Sequence, residues 1–72
     1  MSFKRYDHTV FRHNLRTMRE VDGLTQEQLA EKAGLQPAAI SHFETGQRQP
    51  NLRNLVKLCL ALRASPDEFL TP

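Results

Sequence analysis

The side chains of this 72-residue chain best equipped for chemistry are three histidines, one cysteine and the polar residues Gln36 and Ser41 near His42. A nucleophile or a metal ion would need such groups in company. His8 and His13 are five residues apart, a spacing that does not share a helix face, so they form no ligand pair. Cys59 stands among Leu55, Val56, Leu58 and Leu62, where a small buried hydrophobe is expected rather than an activated thiol. One cysteine forms no internal disulfide, and no Cys/His cluster offers the ligand set of a structural zinc. No catalytic constellation is visible, and neither an enzyme activity nor a cofactor is expected. The chemistry left is hydrogen bonding by Gln36, Ser41 and His42, with Pro37 and Ala38 among them.

The elements that carry these residues are marked by caps and turns. Residues 1–6 are polar and basic without an apolar partner pattern and read as a flexible arm, with residues 7–72 forming one domain. From Asp7 or Thr9, Phe11, Leu15, Met18 and Val21 recur at helical spacing, with Arg12, Arg16 and Arg19 between them, until Asp22-Gly23 stops the run. Thr25 followed three residues later by Gln28 predicts a capping box, opening a second helix through Leu29, Ala30 and Ala33 that closes at Gly34. Leu35 offers an apolar anchor, and Pro37 starts a third helix at the position where a missing N–H costs nothing. That helix runs to about Thr45, turning Ala39, Ile40 and Phe43 inward and leaving Gln36, Pro37, Ala38, Ser41 and His42 on the remaining surface.

Gly46 ends it, and a loop leads to Asn51 as the N-cap of a fourth helix with Leu52, Leu55, Val56, Leu58, Cys59 and Leu62 at core-like spacing. Leu60, between those positions, marks either a dimer patch or a plain exposed leucine. Ser65-Pro66 opens a last turn whose Asp67 and Glu68 suit the helix dipole and whose Phe69 and Leu70 face the core. The expected fold class is all-α with five helices and no strand.

A chain this short builds one marginal core on apolar packing. It lacks a run of roughly 20 apolar residues and the apolar middle of a signal peptide, so a soluble cytoplasmic protein with no membrane partner is expected. Net charge is only +2, but residues 1–20 hold five basic and two acidic groups, residues 21–46 one and four, and residues 47–72 four and two. Two basic segments thus flank an acidic centre, which suits a polyanion or an ordinary solvated surface. The second and third helices, short and joined by a glycine turn, form a helix-turn-helix in which one helix braces the other and the leading end of the second reaches base edges in a major groove.

Leu24-Thr25-Gln26, Leu29-Ala30, Ala33-Gly34, Ile40-Ser41, Glu44, Gly46 and Pro50 together make the chain similar, over about residues 11–70, to the phage repressor and Cro type of helix-turn-helix domain, also called the xenobiotic-response-element family. The resemblance implies a lambda-repressor-like DNA-binding domain acting as a transcriptional regulator, a repressor first of all. A homodimer would place the recognition helix, about residues 37–45, in successive major grooves of a palindromic operator. It puts base reading on Gln36, Pro37, Ala38 and His42 with Ser41 close by, and phosphate contact on Thr25 and Gln26 at a helix N-terminus. Pro37 and Ala38 stand where well-read members hold long polar side chains, which shifts specificity toward DNA shape. The loop residues Gln47, Arg48 and Gln49, with Arg53 beyond, match the backbone-contacting region. Arg19 and Glu44 match a structural ion pair between the first helix and the end of the third.

Two other readings share the fold. One is an antitoxin or a restriction-system controller, which would add a protein partner to the DNA. The other is a helical interaction module without DNA binding, which the acidic centre and the Pro37-Ala38-Ala39 face would fit.

Overall fold

The computed structural model describes residues 8–72, with side chains from residue 9. The expected arm over residues 1–6, Asp7 and the side chain of His8 lie outside the described residues. Five helices follow one another: α1 (His8–Val21), α2 (Gln26–Ala33), α3 (Pro37–Thr45), α4 (Leu52–Leu62) and α5 (Pro66–Leu70), with no strand among the described residues.

Each helix begins or ends where its local chemistry demands. The hydroxyl of Thr25 accepts from the Gln28 N–H at 3.1 Å while Gln28 Oε1 accepts from the Thr25 N–H at 2.8 Å, the reciprocal capping box expected of that pair. Gly34 is left-handed (φ 70°), and the Leu35 N–H donates to the Ala30 carbonyl at 2.8 Å, so the chain reverses within two residues and α3 begins at once. Asn51 Oδ1 accepts from the Asn54 N–H at 2.8 Å and starts α4. The short α5 is held from outside: Asn14 of α1 donates through Nδ2 to the carbonyls of Phe69 (3.0 Å) and Thr71 (2.9 Å), acceptors that a five-residue helix cannot satisfy internally.

The five helices close on one apolar centre. Phe11 and Leu15 of α1, Leu29, Ala30 and Ala33 of α2, Ile40 and Phe43 of α3, Leu58, Cys59, Ala61 and Leu62 of α4 and Phe69 of α5 are all buried. Phe11 and Phe69 meet with ring centroids 5.7 Å apart, joining the first and last helices. Each large side chain removed from water here contributes roughly 1.5–3 kcal/mol, so a domain of this size depends on nearly all of them. Burial pushes the Cys59 thiol pKa up, which keeps it protonated and poorly nucleophilic.

Four residues expected on apolar stripes face outward instead. Val21 is exposed at the last residue of α1, where Met18 and Arg19 take the inward side of the turn, and Leu70 because Phe69 fills the inward position of α5. On α4, Leu52 and Val56 are 78% and 47% exposed, and Leu60 is 75% exposed. Leu58, Cys59, Ala61 and Leu62 occupy the inward side of that helix, which turns the series 52, 56, 60 away from it.

Candidate nucleic-acid interface

α3 buries Ile40 and Phe43 and turns its other side outward. Its N-cap, Gln36, is extended (φ −77°, ψ 144°), and its side chain caps nothing, so the amide is exposed and uncommitted. Pro37 and Ala38 are exposed, and Ser41 and His42 are half-buried along the same side. Ala38 forms a crest with an open cleft on either flank. One cleft runs between α3 and the start of α2, lined by Thr25, Gln26, Pro37 and Ser41. The other runs between α3 and the loop into α4, lined by Gln36, His42, Arg48, Gln49, Asn51 and Asn54.

The structure therefore brings Gln36, Pro37, Ala38, Ser41, His42, Thr25, Gln26 and Arg48 into one continuous surface. Gln47 and Arg53 are exposed but line neither cleft. Thr25 is occupied by its capping box, leaving the backbone N–H groups of Gln26 and Glu27 at the open end of α2 without an acceptor inside the helix. Such a helix end favours an anion, although the Glu27 side chain in the same cleft opposes one.

Beneath the surface lies an ion pair that sets the angle of α3. Arg19 Nε donates to Glu44 Oε2 at 2.6 Å and Arg19 Nη2 donates to Glu44 Oε1 at 3.0 Å, a two-pronged contact between α1 and the far end of α3. The side chains are only 11% and 4% exposed. A third nitrogen, Nη1, donates to the Leu24 carbonyl at 2.7 Å, and hydrogen bonding to Glu44 raises the guanidinium pKa above its ordinary value. Glu44 Oε1 also accepts from Gln26 Nε2 at 3.2 Å. That bond turns the nitrogen of the Gln26 amide toward Glu44, leaving its second N–H and its oxygen for a partner.

Sequence reasoning missed two contributors. Arg12 crosses from α1 to donate through Nη1 to the Thr45 carbonyl at 2.9 Å, and its guanidinium lies against Gly46, where a Cβ would push that side chain aside. Nothing in the sequence separates Arg12 from its solvent-facing neighbour Arg16. Asn54 lines the second cleft, and its place three residues beyond an N-cap asparagine was the available signal. Among the described residues no group of three or more His, Cys, Asp or Glu side chains could hold a metal ion. No described helix is long and apolar enough to cross a membrane.

Comparison with known proteins agrees with this geometry. Residues 15–69 match the model of a helix-turn-helix family. The control protein C.SmaI of Serratia marcescens is 37% identical over 62 residues, spanning 86% of this chain and 74% of that protein. The fold is similar to the restriction-modification controller protein C.AhdI of Aeromonas hydrophila (TM-score 0.83, 38% identity, covering 90% of this chain and 98% of that one). It is also similar to the P22 c2 repressor solved in complex with a synthetic operator (TM-score 0.80, 33% identity, covering 85% and 92%). With its five helices, its α2–α3 turn and its exposed α3, this chain belongs to the helix-turn-helix family of repressor and Cro-type DNA-binding transcriptional regulators, which are not enzymes.

Proposed function

We propose that the chain binds double-stranded DNA sequence-specifically as a homodimer, inserting the leading end of α3 into the major groove of each half of a palindromic operator. The observation that carries this is the Ala38 crest between two polar clefts, a ridge with room on both sides for the sugar-phosphate walls of a groove. Gln36 offers adenine a paired donor and acceptor, Ala38 packs on a thymine methyl, and Ser41 and His42 serve polar base edges or a phosphate. Pro37 fixes the start of the helix and lends no hydrogen bond, so DNA shape supplies part of the specificity. Thr25 and Gln26 at the α2 terminus, and Gln47, Arg48 and Arg53 beyond α3, meet the backbone.

Occupancy of an operator overlapping a promoter represses it, and the cytoplasm is where such an operator would be met. The likeness to C.SmaI and C.AhdI supports a controller-type regulator in particular. The test is selection from a random duplex pool at near-physiological salt. A two-fold symmetric motif with half-sites about 34 Å apart is expected. A folded, helical protein that enriches no sequence would overturn the reading in favour of a protein-interaction module.

A further inference from the structure

α3 ends differently from the helices around it. α2, α4 and α5 close on the N–H of their own C-cap residues, Gly34, Arg63 and Thr71. At the end of α3 the bond back into the helix comes from further along the chain: the Arg48 N–H donates to the His42 carbonyl at 3.2 Å, spanning the left-handed Gly46 (φ 80°) and Gln47. Thr45 ties the same turn from within, its hydroxyl donating to the His42 carbonyl at 3.2 Å and accepting from the Gln47 N–H at 3.4 Å. These bonds lie at or beyond the long end of ordinary hydrogen bonds. Arg48 therefore stands on a loop that its own residues close only loosely.

α1 supplies the missing grip. Arg12 and Arg19 are seven residues apart, two turns of helix and hence one face. That face holds two successive residues of α3: Arg19 takes the Glu44 carboxylate, and Arg12 donates through Nη1 to the Thr45 carbonyl at 2.9 Å, a shorter bond than any the loop makes for itself. A Cβ on Gly46 would overlap Nη1 and come within 3.2 Å of Cδ and 3.3 Å of Cζ, so the stem and guanidinium of Arg12 lie against the turn. The guanidinium also sets a full positive charge at the negative pole of α3.

We propose that Arg12 is a positioning residue of the DNA interface: it holds the Thr45-Gly46 turn from outside and so fixes where Arg48 meets the phosphate backbone. Arg19 sets the angle of α3, and Arg12 sets the loop behind it. The contribution of Arg12 to binding passes through Arg48, which lines the same cleft as Gln36 and His42. The inference rests on the DNA reading above for the role of Arg48, and on the hydrogen bonds at the end of α3 for that of Arg12.

The first measurement needs no DNA. In Arg12→Met, which keeps an unbranched stem and removes the guanidinium, amide exchange at Arg48 should quicken by roughly threefold or more. Exchange at Leu35, whose N–H closes α2 onto the Ala30 carbonyl, should stay as in the wild type. Unchanged exchange at Arg48, or equal quickening at both amides, would overturn the proposal. The second measurement is a double-mutant cycle on a duplex bearing the selected motif, at a temperature where every chain is fully helical. Arg12→Met should weaken binding by roughly threefold in the wild-type background and hardly at all in an Arg48→Ala background. Equal losses in the two backgrounds would mean that Arg12 acts on DNA by its own charge or contact. Arg16→Met removes the same charge from an exposed site on α1 that pairs with Glu20, and as large a loss there would reduce the effect to net charge. Either result would sink the positioning role. A wild type that binds no duplex sinks the DNA reading instead, an outcome that the exchange measurement cannot mimic.

Discussion

α3 and α4 are neighbours of similar length that bury one side each in the same core, yet they expose opposite kinds of surface. α3 shows water an amide, a proline, an alanine, a hydroxyl and an imidazole, whereas α4 shows it two leucines and a valine. The first surface costs the isolated molecule little, because water satisfies its polar groups. The second forgoes about 25 cal/mol for every Å² of apolar area left wet. The tethering differs as well. α3 is bound at its C-terminal end by Glu44 to Arg19 and by Thr45 to Arg12, leaving its leading end as a fixed projection, while the outer side of α4 is left exposed by the described residues. Exposure on α3 thus reads as presentation on a rigid mount, and exposure on α4 as an unfinished interior.

The contrast is broken most severely by removing the mount. Glu44→Ala leaves the buried Arg19 guanidinium without its carboxylate, and a loss of about 3–5 kcal/mol is expected in urea unfolding; a loss under 1 kcal/mol would show that the pair does not hold α3. Gly46→Ala forces a left-handed alanine (φ 80°) and drives a Cβ into Arg12, for an expected cost of roughly 1–2 kcal/mol by the same measurement. Thr25→Ala removes one arm of the capping box and should cost about 1 kcal/mol, read as a lower melting temperature. Two further changes should be nearly silent in stability, within about 0.5 kcal/mol. Arg48→Ala should reduce the slope of log affinity against log salt by about one on every duplex, and an unchanged slope would remove Arg48 from the phosphate contacts. Leu60→Gln, measured at concentrations where the chain is monomeric, should unfold like the wild type; a large destabilisation would mean that the outer side of α4 already serves the monomer.

What could be read in the sequence was what neighbours in the chain decide. Thr25 with Gln28, Gly34, Pro37 and Asn51 each act within four residues of themselves, so both ends of α2 and the starts of α3 and α4 were legible from local chemistry, whereas the left-handed Arg63 that closes α4 was not. Contacts that join distant parts were not. Arg12 meets Thr45 across 33 residues and Asn14 meets Thr71 across 57; Arg12 is of the same type as the exposed Arg16, and nothing within a few residues of Asn14 points to its partner. Arg19 and Glu44, also far apart, could be paired beforehand through family resemblance alone. The misread face of α4 has a simpler cause. A helix with apolar residues at 52, 55, 56, 58, 59, 60 and 62 has more than one apolar stripe, and only the placement of α1, α2 and α5 decides which of them is covered.

Cys59 gives the molecule an internal clock. Its thiol faces the core with little exposed surface and burial pushes its pKa up, so labelling by a thiol reagent in native buffer is slow and quickens when that helix lifts from the core. The rate of labelling therefore follows openings of the very helix whose outer side carries the exposed leucines. Since it needs no inserted probe, it can be followed as protein or operator is added, timing how firmly each one closes the helix.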